Sequence, residues 1–439
     1  METTEIREKF VDFYTSRGYR SLPRAPMVDD SIPMSFVMSA GLVQVEQSLA
    51  HEQVRDSNKF VLVQDCFRHF DLDKVGTDDF HLSIFEMPGA FRFGSNSKVE
   101  TVELMWELAT SVLGIDPDRL WASYFRGGDL LGNKLPEDRE VRSAWGKLGL
   151  LSNRIVGLGV EDNYWLQGKG FNGGDVIRKA GPNTELFFDR GEERACGVQC
   201  QPGCKCGRFV EFSNSLFIRY EVNPDTRIFH HLDNPFSETV IGTERIAMFL
   251  QGRESVFEIK KYQPILETID SFVQLENKNT AILTESKRVI ADHLRALYLL
   301  VSDGAPPPGK NGRERIIKLL IRGIITRQKL LNIRNPDFIS ITLDCIGNTM
   351  SDKDEQVQKQ TVEYFENEEK RFLKTVEKGL GYLDQLLEEN ELLSGEQIVY
   401  LEKRKGLPPL LAKNNLKKKG ISFPEDSYRM ALQLWKAFA

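Results

Sequence analysis

Short apolar runs alternate with turn signals along the first part of the chain, a pattern typical of a domain that mixes helices and strands. Apolar residues at helical spacing predict helices over residues 4–17, 99–113 and 137–148. β-branched and alternating segments predict strands over residues 35–47 (breaking at Gly41), 59–67, 80–93, 118–125, 185–189 and 208–220. Residue 155 is expected in a short strand, and 238–251 is expected to run from a strand through Gly242 into a helix.

Two further segments of this first part are irregular. Residues 161–165 (EDNYW) predict a turn that carries an aromatic side chain. Residues 167–184 are rich in glycine and basic residues, but their spacing matches neither common phosphate-binding motif, so a loop is predicted.

The pattern changes beyond residue 255, where helical periodicity dominates. Helices are predicted over residues 262–275, 287–302, 315–331, 337–350 and 353–389, with a rigid loop at 304–312. The last of these helices has apolar positions at steps of 3, 4 and 7, namely Phe365, Phe372, Val376, Leu380, Leu383 and Leu387. We therefore predict an α+β domain over residues 1–255, followed by an all-α domain over residues 256–439.

Composition and charge restrict the class of protein. The 439 residues are 41% hydrophobic and carry a net charge of −6, which is typical of a soluble globular chain. This charge gives no general nucleic-acid signal, so any RNA contact must come from local basic patches, and no DNA or membrane partner is expected. No apolar run approaches the roughly 20 residues of a membrane span, and the charged N-terminus is not a signal peptide. A cytoplasmic location is expected.

Four of the six cysteines lie close together: Cys196, Cys200, Cys204 and Cys206. Such clustering in a cytosolic chain favours a metal over disulfides, and neighbouring Gly and Pro residues supply the tight turns that a four-thiolate site needs. We predict structural zinc in an insert at 196–206, with a redox cluster or free thiols as alternatives. Catalytic zinc is disfavoured because four thiolates leave no open coordination position.

The stretch from Gln64 to Gly94 combines a cation with aromatic residues in a predicted hairpin. Arg68 would end the first strand, and Phe85 would lie on the second. A guanidinium group suits a phosphate and a ring suits a nucleobase, so a nucleotide pocket is one interpretation. An ordinary hairpin with a surface arginine is the other. Arg245, at the start of the helix after Gly242, is similarly either an anion ligand or a solvent-exposed residue.

Several long motifs in the same order resemble one family. They are EIREKFVDFYTSRGY, DLDKVG, FEMPGAFRFG, RLW, DNYW, GPNTEL, GTERIAMFLQ, VIADHLRALYLLVSDG and EKGLGYLDQLL. Together they resemble the N-terminal half of alanyl-tRNA synthetase, a class II aminoacyl-tRNA synthetase, over essentially the whole chain. The resemblance implies an antiparallel class II sheet with flanking helices, then a helical domain that docks the tRNA acceptor stem.

The resemblance also implies a chemistry and roles for particular residues. The carboxylate of an amino acid attacks the α-phosphate of ATP, with Mg²⁺, and the resulting adenylate passes its aminoacyl group to the terminal ribose of a tRNA. Arg68 resembles the arginine that binds the α-phosphate, Phe85 the ring that stacks on adenine, and Arg245 the arginine that binds the terminal phosphates. Trp165 and Asn214 match residues that line the amino-acid pocket.

Departures from the family lie in both the pocket and the RNA-binding region. Glu238 stands where the family has an aspartate for the substrate ammonium, Val240 where it has a glycine, and Ser213 where it has a tryptophan, so alanine is only the family default. The motif 2 loop is shortened to His69–Phe70 and loses a lysine.

On the RNA side, Lys310 and Asn311 lie near a base-reading asparagine of the family, and Lys403 near a base-reading aspartate. Neither the HxxxH motif of the family's editing domain nor its C-terminal dimerisation region is found in the sequence. The chain is therefore expected to be a truncated paralogue without an editing domain.

We predict an ATP-dependent enzyme that activates alanine or another small amino acid and transfers it to tRNA. Two alternatives stay open. In the first, the acceptor is a carrier protein or a small metabolite in a biosynthetic pathway. In the second, the chain is a non-catalytic descendant that binds RNA or regulates.

Overall fold

The computed structural model describes residues 1–29, 41–50, 57–94, 98–167, 178–223, 225–274, 280–350, 353–389 and 392–438. These residues form two compact units. The first comprises Met1–Arg68, Asp78–Phe80 and Phe85–Lys261, and the second comprises His69–Thr77, His81–Ile84 and Tyr262–Ala439. The domain boundary expected after residue 255 stays a prediction.

The first unit is built on strands. They are β1 (Arg20–Ser21), β2 (Lys59–Phe67), β3 (Ile84–Phe93), β4 (Leu120–Phe125), β5 (Gly128–Leu130), β6 (Asn133–Leu135), β7 (Ile155–Leu158), β8 (Tyr164–Leu166), β9 (Arg178–Asp189), β10 (Phe209–Val222) and β11 (Phe229–Ile241). Nine of them form one sheet in the order β1-β2-β3-β11-β10-β9-β4-β7, with β8 paired to β9, while β5 and β6 form a separate hairpin.

The centre of the large sheet is antiparallel, as predicted. Strands β3, β11, β10, β9 and β4 pair antiparallel in succession. The sheet as a whole is mixed, because β1 pairs with β2 and β4 pairs with β7 in parallel. The predicted α+β class is therefore confirmed, with parallel pairs only toward the edges.

Helices flank the sheet in this unit. They are α1 (Thr3–Thr15), α2 (Leu42–Ala50), α3 (Lys98–Glu107, continued by a π-helical turn over Leu108–Val112), α4 (Arg139–Lys147), α5 (Val160–Asn163) and α6 (Thr243–Leu250). α1 buries the predicted apolar face, since Ile6, Phe10 and Phe13 are all buried.

Two sequence-based predictions for this unit are wrong. The strand predicted over 35–47 is a helix from Leu42 onward; residues 35–40 lie outside the described part of the chain. Leu42 and Val45 are buried, and Leu49 packs on the same core cluster, so the apolar spacing of 3 and 7 is helical. The predicted loop at 167–184 is strand from Arg178 onward, because this polar segment pairs with β10 in the interior of the sheet.

Smaller differences concern the ends of elements. The second hairpin strand begins at Ile84 instead of residue 80. A 3₁₀ turn over Pro117–Arg119 precedes β4. Residues 161–165 are one helical turn, α5, followed by the first residues of β8.

The second unit is helical. Its helices are α7 (Gln263–Ser271), α8 (Thr280–Ser302), α9 (Gly312–Leu330), α10 (Phe338–Asn348), α11 (Glu355–Glu389), α12 (Gly395–Lys405), α13 (Pro409–Lys418) and α14 (Glu425–Phe438). In the long helix α11, Phe365, Phe372, Val376 and Leu383 are buried as the stripe predicted, while Leu380 and Leu387 are half-buried. In the described ranges, no helix combines the length and apolarity needed to cross a bilayer.

Candidate active site

Arg68 and Phe85 lie together at the end of one strand and the start of the next. β2 ends at Phe67, so Arg68 is the first residue beyond it, and Phe85 is the second residue of β3. The Cζ atom of Arg68 lies 5.4 Å from the centroid of the Phe85 ring, within cation–π distance. Both side chains are half-buried. The structure therefore brings together the cation and the ring that the hairpin pattern predicted.

The first turn of α6 lies next to this pair. The backbone N–H of Glu86 donates to Oε2 of Glu244 at 3.1 Å, which joins β3 to α6 immediately before Arg245. Arg245 donates from Nη1 to the backbone oxygen of Glu211 at 2.7 Å, and the same Nη1 lies 3.7 Å from Oε2 of Glu211. The helix begins after Gly242, which has no side chain to cap the first turn.

The candidate amino-acid residues occupy one face of the central sheet. Strand register aligns Glu185, Asn214 and Val240 across β9, β10 and β11, and it aligns Leu216 with Glu238 two residues further along. Because alternate residues of a strand share a face, Val240 and Glu238 point to the same side. Trp165 lies opposite Gly181 on β9, and both Trp165 and Val240 pack on one apolar cluster.

Glu238 is buried, with 3% of its surface exposed. Burial, with a smaller contribution from Glu46, raises the pKa of Glu238 to about 8. Glu46 is itself paired with Lys179. No described residue donates a hydrogen bond to Glu238 or forms an ion pair with it, so this carboxyl group is placed to accept a cationic group from a ligand.

A second buried carboxyl group belongs to Glu185, which the sequence prediction did not assign to the site. Nδ2 of Asn183 and Nδ2 of Asn214 each donate to its Oε1 at 3.2 Å, and Oγ of Ser123 donates to its Oε2 at 3.3 Å. Burial, followed by the charge of Glu211, raises the pKa of Glu185 well above its usual range. The signal was present in GPNTEL, where Asn183 and Glu185 are two residues apart in one strand and therefore share a face.

The cysteine insert connects β9 to β10. The Sγ atoms of Cys196, Cys200 and Cys204 lie within 4.8 Å of one another, and Sγ of Cys206 is 3.5 Å from Sγ of Cys200. Two tight turns position them, because the N–H of Cys200 bonds to the oxygen of Gly197 and the N–H of Cys204 bonds to the oxygen of Gln201. Thiolate is a preferred zinc ligand, so the donor set fits this metal.

Cys200 also anchors the insert to the strands that carry the candidate pocket. It is buried against Phe187 of β9 and Phe209 of β10, with Trp121 and Cys204 packed on the same cluster. Asp189, at the end of β9, accepts two hydrogen bonds from Arg208 at 2.8 and 2.7 Å. Both ends of the insert are therefore tied to the central sheet.

The candidate RNA residues lie in the helical unit. Lys310 and Asn311 are exposed immediately before α9, where Asn311 is the N-cap residue without a side-chain hydrogen bond. Lys403 is exposed near the end of α12, and its Nζ lies 2.6 Å from Oε1 of Glu402. These positions are accessible, but their role stays a prediction.

Comparison with known proteins identifies the family. The family model for class II (A) tRNA synthetases matches residues 5–436. The chain therefore belongs to the class II aminoacyl-tRNA synthetases of this family.

The alanine–tRNA ligase of Thermoanaerobacter sp. (strain X514) is 32% identical over 439 residues, covering 98% of this chain and 48% of that protein. The alanine–tRNA ligase of Thermotoga maritima is 32% identical, covering 99% of this chain and 49% of that protein. The predicted resemblance to alanyl-tRNA synthetase is thus confirmed, and the chain spans about half the length of these relatives.

A histidyl-tRNA synthetase from S. aureus is a solved structure of low similarity. It is 13% identical with a TM-score of 0.34, covering 59% of this chain and 68% of that chain. The alternative of a carrier protein as acceptor receives no support from the comparisons.

Proposed function

We propose that this protein activates alanine or another small amino acid with ATP and transfers the aminoacyl group to tRNA. The observation that supports this most directly is the 5.4 Å approach of Arg68 to Phe85, adjacent to the start of α6. A cation, a ring and a helix N-terminus in one region are the groups that an adenine nucleotide needs.

In this proposal three residues bind ATP. The ring of Phe85 stacks on adenine, and the guanidinium group of Arg68 neutralises the α-phosphate. Arg245, at the N-terminal turn of α6, binds the terminal phosphates. Because both arginines are half-buried, their charges act with less screening than charges at a fully exposed surface.

Four residues receive the amino acid. The carboxylate of Glu238 binds the α-ammonium, which supplies the cation that no described residue provides. Asn214 offers a polar contact, and Trp165 and Val240 form an apolar wall. Val240 reduces the space available to the substrate side chain, which favours a small amino acid.

The reaction is a nucleophilic displacement at phosphorus. A carboxylate oxygen of the amino acid forms a bond to the α-phosphorus, while the bond from that phosphorus to the bridging oxygen of pyrophosphate breaks. Pyrophosphate leaves with the bonding electrons, and no proton transfer is required. Arg68 and Arg245 therefore contribute by positioning the substrates and stabilising developing charge, not as acids or bases.

The family implies Mg²⁺, and the residues present fit this metal. Glu185 lies on β9 and Glu211 on the neighbouring strand β10, and both offer the oxygen ligands that Mg²⁺ prefers. We propose that these two carboxylates bind Mg²⁺ together with ATP. The metal supplies additional neutralisation of phosphate charge.

We also propose that Cys196, Cys200, Cys204 and Cys206 hold one structural zinc ion. Four thiolates would close the coordination sphere, so this zinc has no part in the chemistry. Its role is to fix the end of β9 relative to the start of β10.

Pyrophosphate exchange tests the activation step. The purified chain is incubated with ATP, Mg²⁺ and labelled pyrophosphate, together with each proteinogenic amino acid in turn. Label is expected in ATP with alanine or another small amino acid. Exchange at background level with all of them would refute activation and favour the non-catalytic alternative.

Transfer is tested with labelled amino acid and unfractionated tRNA. Acid-precipitable label is expected with intact tRNA and not with periodate-oxidised tRNA, whose terminal ribose cannot be charged. We propose that Lys310, Asn311 and Lys403 contact the acceptor stem, chiefly through its phosphates. Replacing both lysines with alanine should then reduce transfer and leave exchange unchanged.

A further inference from the structure

Two exposed tyrosines flank one lysine on the surface of α11 and α12. Nζ of Lys405 lies 3.8 Å from the ring centroid of Tyr382 and 5.5 Å from that of Tyr400. The tyrosines are 41% and 48% exposed, although large aromatic side chains more often lie in cores. We refer to Tyr382, Tyr400 and Lys405 as the Tyr–Lys patch.

The close approach of two helices produces this arrangement. α12 ends at Lys405 and is capped by Gly406, whose φ of +71° is left-handed, and the next residue, Leu407, packs against Gly379 of α11. A Cβ at Gly379 would lie only 2.8 Å from Cβ of Leu407. The absence of a side chain at Gly379 therefore lets the end of α12, with Lys405, reach the turn of α11 that carries Tyr382.

Basic residues surround the Tyr–Lys patch. Lys378 is exposed one helical turn before Tyr382, and Lys403 and Arg404 lie three and four residues after Tyr400, on the same face of α12. From 400 to 420 the sequence has seven basic residues and one acidic residue, although the whole chain is acidic.

Two acidic residues near the patch, Glu402 and Asp384, are engaged in ion pairs. The one acidic residue of that segment, Glu402, pairs with Lys403 and accepts a hydrogen bond from Tyr428 at 2.8 Å. Asp384 of α11 pairs with Lys419 at 2.6 Å. Basic residues therefore outnumber acidic ones in the segment 400–420, although Glu396 is exposed one helical turn before Tyr400.

We propose that the Tyr–Lys patch binds unpaired nucleotides of RNA, with the bases stacked on the tyrosine rings and a phosphate bound by Lys405. A cation between aromatic faces in a basic surrounding suits this ligand, because stacking tolerates any base while the ammonium group binds the backbone.

RNA as the ligand class rests on the proposed transfer to tRNA. The inference goes further by assigning a second contact to α11 and α12 that uses stacking rather than base-edge recognition. It thus gives Tyr382, Tyr400 and Lys405 a role that the sequence analysis did not assign to them.

The test measures binding of fluorescently labelled RNA to the full chain by anisotropy, without amino acid or ATP. The two probes are a single-stranded 12-nucleotide RNA and a blunt duplex of the same sequence. The wild-type chain is expected to prefer the single strand. Tyr382→Ala with Tyr400→Ala should weaken single-strand binding by about tenfold or more, because stacking contributes substantially per base.

Matched variants separate stacking from charge and from folding. Tyr382→Phe with Tyr400→Phe keeps both rings and should bind as the wild type does. Lys405→Ala should reduce the slope of log K against log salt by about 0.7, the value for one phosphate contact on a single strand. Lys359→Ala removes an exposed lysine near the other end of α11, and it should change neither the affinity for the single strand nor the salt slope.

Equal RNA affinity of the wild type and the alanine double variant would overturn the stacking proposal. The proposal would also fail if the phenylalanine double variant lost as much RNA affinity as the alanine double variant. Absence of binding to both RNAs would overturn the assignment to RNA. Pyrophosphate exchange is measured separately on every variant. A failure of the proposed activation would therefore appear in that assay and not in the binding result.

Discussion

At the scale of single residues, Glu238 is the most informative position. Its carboxyl group lies inside the sheet with 3% exposure, and no cation from the described residues accompanies it. Burial of a carboxylate without a partner is unfavourable, so the neutral form is favoured until a ligand brings a positive charge. Glu238 thus destabilises the fold at high pH, and in the proposed function the same carboxylate binds the substrate ammonium.

The first prediction concerns stability against pH. The folded chain raises the pKa of Glu238 from 4.5 to about 8, so the folded state holds a proton that the unfolded state releases. Between these two values the stability contributed by Glu238 falls as pH rises. Glu238→Gln should remove this slope. Urea unfolding at pH 5, 6.5 and 8, without ligands, should show the variant losing less stability than the wild type.

If the free energies of unfolding of the wild type and of Glu238→Gln change in parallel with pH, the prediction is wrong, because the fold then does not raise the pKa of Glu238. The comparison isolates Glu238, because the raised pKa of Glu185 is common to both proteins.

The second prediction concerns Arg68. Arg68→Ala should lower kcat for pyrophosphate exchange by about 10²–10³, the range for removing one group that stabilises transition-state charge. Arg139→Ala is the matched control, since the Arg139 side chain is 86% exposed in α4. Exchange by the Arg68 variant at the wild-type rate would exclude a role for this residue in the chemical step.

At the scale of elements, the cysteine insert has the clearest consequence. The third prediction is that the chain contains about one zinc per molecule by elemental analysis, as a closed four-thiolate site holds. Cys200→Ser with Cys204→Ser should lose this zinc and lower the unfolding temperature, because Cys200 also packs on β9 and β10. Cys345→Ser, in α10, should retain both metal and stability. Full zinc content in the double variant would exclude this site.

Two glycines two residues apart in α11 give the fourth prediction. Gly381 has open space where a side chain would stand, so Gly381→Ala should stabilise the fold by about 0.5–1 kcal/mol through helix propensity. Gly379→Ala should instead destabilise it, because its Cβ would lie 2.8 Å from Leu407. Urea unfolding measures both. Equal effects of the two substitutions would contradict the close packing of α11 against Leu407.

Several elements were predictable from sequence and a few were not. β2 matches its predicted range of 59–67, since its alternation of apolar residues is local information. α2 and the first half of β9 were wrongly predicted. The residues of α2 have a composition typical of a strand, but they pack on the core cluster as a helix. The first residues of β9 have a composition typical of a loop, but they pair with β10 as a strand.

At the scale of the whole molecule, the proposed activation and the proposed RNA binding involve different compact units. Arg68, Phe85 and Arg245 belong to the first unit, while Tyr382 and Lys405 belong to the second. Each unit has its own buried core, so a surface substitution in one is expected to leave the fold of the other intact.

The fifth prediction follows from this separation. Arg68→Ala should abolish most exchange and leave the RNA affinity unchanged, while the alanine double variant of the Tyr–Lys patch should show the opposite pattern. Exchange and anisotropy assays on the same preparations measure both effects. Loss of both properties in either variant would show that the two activities depend on one another.

The sequence by itself determined the family, the α+β class and the helical second part, because long ordered motifs and local periodicity are encoded along the chain. It also predicted that Arg68 and Phe85 lie close together, while their role in binding ATP with Arg245 stays a prediction. Tertiary structure alone decided which side chains share a pocket. Strand register places Glu185 beside Asn214, and the sheet buries Glu238 away from water. Lys405 contacts Tyr382 because Gly379 leaves space for Leu407 to pack on α11. Each of these contacts joins residues distant in sequence, and no local pattern specifies their separation in space.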